Sequence, residues 1–235
     1  MTSIEYALRY NKFVKLIEII VVFLSASIII LITNSLSDDN PIFRQSIIWA
    51  ANIIMLLFIW LGLRLRNQSW QNLGLSFKNI NLRAVLLSFL VFIAALFGFV
   101  LGSIIMANIS GIPESADMSG YNYLQGNLPM LIVALIAIFI GSSFGEEVIY
   151  RGFLITRISE FNLKDKNWTR IAVVVSSVIF GLIHYDWGPM GIVQTGLMGL
   201  AFAISFIILK RNLWILIFAH AYMDSILMIQ MYLGK

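Results

Sequence analysis

LPMLIVALIAIFIGSSFGEEVIYRGFLITRI, residues 128–158, is the stretch that decides the fold. It is longer than the roughly 20 apolar residues that a helix needs to cross the hydrocarbon core of a membrane. Three charged side chains, Glu146, Glu147 and Arg151, lie well inside it, while Arg157 lies at its end. Each such group costs roughly 2.5 kcal/mol or more at the bilayer centre, so an intramembrane charge indicates function. The run therefore predicts a membrane span that contains a site.

The composition places the whole chain in a membrane. Of its 235 residues 60% are apolar and 12% charged, and the mean hydropathy is +0.89, whereas a soluble domain carries about 25% charged residues. The absence of cysteine excludes a disulfide framework, a thiolate metal site and a cysteine nucleophile. The net charge of +4 comes from short basic clusters between apolar runs, without a nucleic-acid-binding motif. We therefore expect the lipid bilayer as a partner and no nucleic acid.

Apolar runs along the chain predict an all-α, polytopic transmembrane helical bundle of about seven spans, with a catalytic cavity inside the bundle. The spans are 13–33, 46–63, 84–108, 128–158, 169–184, 188–209 and 213–233. Basic residues gather in the N-terminal tail and in the second, fourth and sixth connections, whereas the other connections are acidic or neutral (Asp38 and Asp39, Glu114 and Asp117, Asp186). The positive-inside rule then places the N-terminus inside and the C-terminus outside.

The chain contains no internal repeat and no linker, and we expect it to pack as one bundle. Residues 1–127 would supply N-terminal transmembrane helices, and residues 128–235 the catalytic core. Near 65–83 the apolar residues recur at three- and four-residue intervals, which predicts a short amphipathic segment on the cytoplasmic interface. These residues are Trp70, Leu73, Phe77 and Ile80.

Two adjacent glutamates in the fourth span have different surroundings on an ideal helix. Glu147 and Arg151 are four residues apart, in the favourable order for an ion pair on one helix face. Glu146 is turned away by about 100°. We expect Glu147 and Arg151 to form a mainly structural pair, and Glu146 to point into a cavity with its carboxylate free for general-base chemistry.

Both histidines of the chain also lie in predicted spans. His184 ends the fifth span, and His220 lies four residues before Asp224 on one face of the seventh. A single intramembrane histidine is usually a hydrogen-bonding residue between helices. Two histidines together with an unpaired glutamate favour a catalytic site, and we expect Glu146, His184 and His220 to share one water or ion.

Three motifs occur in order on successive helices. They are Glu146-Glu147-x-x-x-Arg151, Phe180-x-x-x-His184 and His220-x-x-x-Asp224, and Tyr150 and Gly152-Phe153 complete the first. This pattern resembles the CAAX-protease and bacteriocin-processing family of intramembrane peptidases, also called the Abi family, over about 128–233. Residues 73–75, Leu-Gly-Leu, add weaker support. The resemblance implies a protein like the type II CAAX prenyl endopeptidases, with the motif residues in its catalytic site and peptide-bond hydrolysis inside the membrane as its reaction.

The chemistry of these residues permits such hydrolysis. Glu146 with His184 could hold and deprotonate a water, and His220 with Asp224 could stabilise the oxyanion. The alternative is a zinc site held by Glu146, His184 and His220, with an open water position. No tight ligand motif is present, so we favour activated water and no cofactor. Ser142 and Ser143 could suggest a serine nucleophile, but no lysine lies in the apolar stretch beside them.

Other classes of function use similar residues. A bacteriocin-immunity or regulatory membrane protein could keep the fold without hydrolysis, and a transporter would need the inverted repeats or broken helices that the sequence lacks. For the enzyme we expect a peptide or lipidated protein as substrate, either of the CAAX type or a leader or signal peptide. We expect it as a multi-pass protein of the cell membrane.

Overall fold

A computed structural model describes residues 2–34, 40–111 and 119–234, which form helices and turns without a strand. The predicted all-α, polytopic helical bundle is therefore confirmed. The acidic residues Asp38, Asp39, Glu114 and Asp117, which contributed to the predicted orientation, lie outside the described residues.

Nine α-helices follow the apolar runs. They are α1 (Ser3–Tyr10), α2 (Lys12–Asn34), α3 (Pro41–Leu65), α4 (Leu82–Ser110), α5 (Leu128–Ile138), α6 (Thr156–Ser159), α7 (Lys166–Leu182), α8 (Gly188–Ile208) and α9 (Leu213–Tyr232), counted within the described ranges. Side-chain caps mark several starts, since Asn40, Asn81, Asn127, Asp165 and Asn212 each accept a hydrogen bond from a first-turn backbone N–H.

Within the described part of the chain, six helical stretches are long and apolar enough to cross a membrane by length and composition. Each corresponds to one of the predicted spans. The predicted fifth span is α7, which has 17 residues and is not among the six. The protein is thus a multi-pass membrane protein, while seven spans and the orientation of the termini stay predictions.

The long apolar stretch 128–158 is not one regular α-helix. Between α5 and α6 it contains two π-helical segments, Phe139–Phe144 and Glu147–Ile155. A π-helix bonds residue i to i+5 and is therefore wider and shorter per residue than an α-helix. This geometry fits 32 residues, Leu128–Ser159, into a single span. Asn52 of α3 supports the first segment by donating its side-chain N–H to the Gly141 carbonyl, at 2.9 Å.

The segment near 65–83, predicted to be amphipathic and interfacial, is not one continuous helix, and its place at the membrane interface stays a prediction. It forms two short 3₁₀ turns, Trp70–Leu73 and Phe77–Asn79. Leu73 is fully buried, while Phe77 is 80% exposed. Gly74 adopts a left-handed conformation (φ 95°), and its carbonyl accepts a hydrogen bond from the Leu213 N–H at the start of α9. The first turn thus belongs to the protein interior, because it fixes the end of the helix that carries His220.

Close helix crossings and buried ion pairs hold the bundle together. α4 lies against α8, where a Cβ on Gly102 would come within 2.6 Å of the Gln194 Cα. At the other side of the molecule α2 is joined to α3 and α6 by charges: Glu18 pairs with Arg66 and Arg157, and both arginine side chains are about 1% exposed. These contacts fix the helices that surround the π-helical segments.

Candidate active site

Glu147 is the centre of a buried polar cluster. Its Oε1 lies 2.8 Å from Arg151 Nη1 and 2.9 Å from His220 Nδ1. Arg151 also donates to the Gly199 carbonyl at 3.2 Å, and its guanidinium lies 4.2 Å from the Phe180 ring centroid. A carboxylate paired with arginine only accepts hydrogen bonds, so Nδ1 of His220 carries the hydrogen. Glu147 therefore fixes the tautomer and orientation of His220 as well as pairing with Arg151.

Glu146 has the opposite surroundings although it is the adjacent residue. Its Oε2 is buried without a hydrogen-bond partner among the described residues, and this atom lies 3.9 Å from His220 Nε2. The side chain lines a cavity of about 460 Å³. The geometry agrees with the predicted division, in which Glu147 is paired and Glu146 faces a cavity.

The cavity lies between α2, α3 and the π-helical segments. Its lining is both apolar and polar, and Glu146 and Tyr150 belong to it. The other lining residues are Phe23, Ala26, Ser27, Ile30 and Thr33 of α2; Phe43, Arg44, Ile47, Ile48, Ala51, Asn52 and Met55 of α3; and Ile183, Tyr185 and Asp186. The carboxylate of Glu146 therefore meets a space large enough for a short peptide segment.

Asp224 faces Nε2 of His220, the ring nitrogen that Glu147 does not contact. Its Oδ1 is 3.6 Å from His220 Nε2, and its Oδ2 accepts a hydrogen bond of 2.7 Å from the Ser143 hydroxyl. Sequence reasoning weighed Ser143 only as a nucleophile or a packing residue. The structure gives this serine a different part, since it orients the carboxylate that faces His220.

His184 is held by its own helix. Its Nδ1 lies 2.8 Å from the Phe180 carbonyl, and its ring packs on Phe180 and Trp187 at centroid distances of 5.0 and 5.2 Å. A carbonyl only accepts, so Nδ1 carries the hydrogen and Nε2 keeps its lone pair. In the described part of the chain, no direct contact joins His184 to Glu146 or His220. The Phe180 ring lies beside both imidazoles, and the sharing of one water by all three residues stays a prediction.

The zinc alternative stays a prediction. Among the described residues, no group of three His, Asp or Glu side chains is placed to hold a metal ion. Glu147 occupies Nδ1 of His220, and the Phe180 carbonyl occupies Nδ1 of His184. Protein groups therefore orient both imidazoles through Nδ1, and Nε2 of each ring stays available to a water or another ligand.

One turn from the connection between α4 and α5 packs near the site. Tyr121, in the 3₁₀ turn Ser119–Leu124, has its pKa raised to about 12, mainly by burial and further by Tyr123, Asp224 and Glu146. Sequence reasoning missed this tyrosine and Asn52, and it named Tyr150 only as part of the first motif. No motif spacing connects Tyr121 or Asn52 to the glutamates, because their contacts depend on how separate helices pack.

Fold and site together define a helical membrane protein with a buried carboxylate and histidine cluster beside a cavity. Residues 128–226 match the family described as Rce1-like, type II CAAX prenyl endopeptidase Rce1-like. The family resemblance predicted from the three motifs is thereby confirmed, and it implies a CAAX-type intramembrane protease. No curated protein and no solved structure matches the chain.

Proposed function

We propose that the protein is an intramembrane endopeptidase that hydrolyses its substrate with a water activated by Glu146. The observation that carries this proposal is the environment of that carboxylate. Glu146 is buried and only 7% exposed, its Oε2 has no hydrogen-bond partner among the described residues, and it lines the cavity. An unpaired carboxylate costs stability in such a place, so a catalytic use explains why the chain keeps it.

The proposed reaction uses a general base. Glu146 takes a proton from the water, and the resulting hydroxide adds to the carbonyl carbon of the scissile peptide bond. His184 helps to hold the water through the lone pair of Nε2. The tetrahedral intermediate collapses when the C–N bond breaks, and Glu146 returns the proton to the leaving nitrogen.

His220 would stabilise the charge that develops on the carbonyl oxygen. Its Nε2, in the protonated ring, donates a hydrogen bond to the oxyanion. Glu147 keeps Nδ1 in place at 2.9 Å, and Arg151 holds Glu147 at 2.8 Å. Asp224 faces Nε2 at 3.6 Å and helps to orient the ring. Glu147, Arg151 and Asp224 would thus be positioning residues.

For the substrate we propose a membrane-associated peptide or lipidated protein, of the CAAX type or with a leader or signal sequence. The cavity of about 460 Å³ has room for a few residues, and the aliphatic and aromatic side chains of α2 and α3 favour apolar ones. We further propose the cell membrane as its location.

Reconstitution in liposomes tests the proposal. The wild-type chain should cleave prenylated CAAX peptides or leader peptides, and Glu146→Gln should lower kcat at least about 100-fold, the contribution typical of a general base. Glu5→Gln, a substitution in the surface pair with Arg9, is the matched control and should leave cleavage unchanged.

Two outcomes would contradict the mechanism. Cleavage that survives both Glu146→Gln and His184→Ala would remove the proposed base and its partner. Cleavage that a strong chelator abolishes and added Zn²⁺ restores would replace activated water by the metal alternative.

A further inference from the structure

Tyr150 has a hydroxyl that the packing of the protein does not use. The side chain is 3% exposed, and its ring packs edge-on against Phe23 and Phe180, with centroid distances of 5.7 and 5.2 Å. Its hydroxyl makes no hydrogen bond with any described residue, and Tyr150 lines the same cavity as Glu146. The hydroxyl is not among the fully buried polar atoms of the described chain that lack a partner, and the residue lines the cavity, so the hydroxyl is open to a ligand there. The hydroxyl therefore points to a ligand in the cavity.

The position of Tyr150 relative to Glu146 follows from the helix. The two residues are four apart, so their side chains lie on the same face. The ring is fixed by one aromatic neighbour on α2 and one on α7. A hydroxyl held in this way is preorganised, since no rotamer freedom is lost when a ligand binds.

The proposed reaction lacks a second hydrogen-bond donor. An oxyanion is usually stabilised by two preorganised donors, and His220 Nε2 supplies one. Asp224 does not supply the other, because its Oδ2 accepts from Ser143 and its Oδ1 faces His220. Asn52, a buried amide on the cavity wall, already donates to the Gly141 carbonyl. Tyr150 is the buried donor on this wall whose hydrogen has no acceptor in the described chain.

We propose that the Tyr150 hydroxyl donates a hydrogen bond to the carbonyl oxygen of the scissile peptide bond and stabilises the oxyanion together with His220. The inference rests on the proposed function and adds a catalytic residue to it. No proton is transferred and no bond to carbon forms, because the phenol acts only as a hydrogen-bond donor. The carbonyl oxygen of the bound peptide would thus lie between the Tyr150 hydroxyl and His220 Nε2, with the attacking water beside Glu146.

Tyr150→Phe tests the inference because it removes one oxygen atom and keeps the ring. In the full-length chain in liposomes, kcat should fall about 100-fold, as for the loss of one oxyanion donor, while KM is unchanged. The melting temperature should stay the same or rise. Affinity for a peptide aldehyde, whose hydrate resembles the tetrahedral intermediate, should fall by a similar factor.

Tyr222→Phe is the matched control. Its hydroxyl accepts a hydrogen bond from Ser88 at 3.1 Å, and its ring packs on Phe89 outside the cavity. This variant should lose some stability and keep kcat.

Three other outcomes would contradict the inference or the proposed function. If cleavage depends on Glu146 but Tyr150→Phe keeps the wild-type kcat, the hydroxyl is not a donor and only the inference fails. If the melting temperature falls together with kcat, the hydroxyl serves packing and the inference fails. If the wild-type chain and Glu146→Gln are equally inactive on all peptides, the proposed function fails and the inference fails with it.

Discussion

Glu146 and Glu147 show how two adjacent residues of one type acquire different properties from their surroundings. Glu147 shares Oε1 between Arg151 and His220 and is fully buried. Glu146 is also buried, but it faces a cavity and has one oxygen without a partner. The first carboxylate is thus part of the framework of the site, and the second is available to a ligand.

This difference predicts opposite effects of the same substitution. Glu147→Gln leaves the Arg151 charge buried without its partner and should lower the free energy of unfolding by about 3 kcal/mol or more. Glu146→Gln removes a carboxylate whose Oε2 makes no hydrogen bond to a described residue and faces His220 Nε2 only at 3.9 Å, and it should leave stability unchanged or higher. Denaturant or thermal unfolding in detergent micelles, followed by circular dichroism, measures both. An equal loss of stability in the two variants would contradict the division between them.

Asp224 is expected to position His220, and two substitutions of this residue test its part. Asp224→Asn keeps the shape of the side chain, an oxygen for the Ser143 hydroxyl and a polar group facing His220, so we expect cleavage within about tenfold of wild type. Asp224→Leu removes both contacts and leaves Ser143 without its partner, and we expect a loss of about 100-fold or more, on the scale of a misplaced acid–base group. The measurement is kcat in liposomes. Equal activity of the Asn and Leu variants would show that Asp224 does not position His220.

The sequence predicts the contacts of the site that lie within one helix, but not those between helices. Helix periodicity relates residues three and four positions apart, so it predicts the pair of Glu147 with Arg151 and the different direction of Glu146. It does not relate residues on different helices. The contacts of Glu147 with His220 and of Ser143 with Asp224 join residues 73 and 81 positions apart, and only helix packing brings them together.

At the level of the helices, apolar run length predicts most boundaries well. The predicted span 213–233 corresponds to α9 (Leu213–Tyr232), and 188–209 corresponds to α8 (Gly188–Ile208). The π-helical segments were not predicted, since π- and α-helices have the same apolar composition and differ in hydrogen bonding. In the 65–83 segment the burial of Leu73 was not predicted, because spacing alone does not distinguish burial in protein from contact with lipid.

The close crossing of α4 and α8 is expected to require a glycine at position 102. A Cβ on Gly102 would lie 2.6 Å from the Gln194 Cα, which belongs to backbone and cannot move away cheaply. Gly102→Ala should therefore separate the two helices and lower the free energy of unfolding by about 1–3 kcal/mol. Gly120→Ala is the control, because nothing lies within 4 Å of the added Cβ. Unchanged melting of the Gly102 variant in micelles would contradict a close crossing.

In the whole molecule, the two ends of α2 have different surroundings. Near its start, Lys15 and Glu18 pair with Glu160, Arg66 and Arg157. Its later residues, from Phe23 to Thr33, line the cavity that Glu146 faces. The buried charges therefore anchor the helix at one end, and its other end forms a wall of the proposed substrate site. A change in the cavity can occur there without breaking an ion pair.

The number of membrane spans depends on whether α7 crosses the bilayer. Its 17 residues span about 25 Å, the lower limit for a hydrocarbon core of about 30 Å. If α7 crosses, single cysteines in place of Lys164 and Pro189, which flank it, should lie on opposite sides. The chain has no cysteine of its own, so an impermeant maleimide reports each introduced position in intact cells. We expect labelling of Pro189→Cys from outside, and of Lys164→Cys only after permeabilisation. Gly120→Cys and Lys78→Cys, which lie on the two sides of α4, calibrate the outer and inner sides independently of α7. Labelling of both flanking positions from the same side would show that α7 does not cross and that the bundle has six spans.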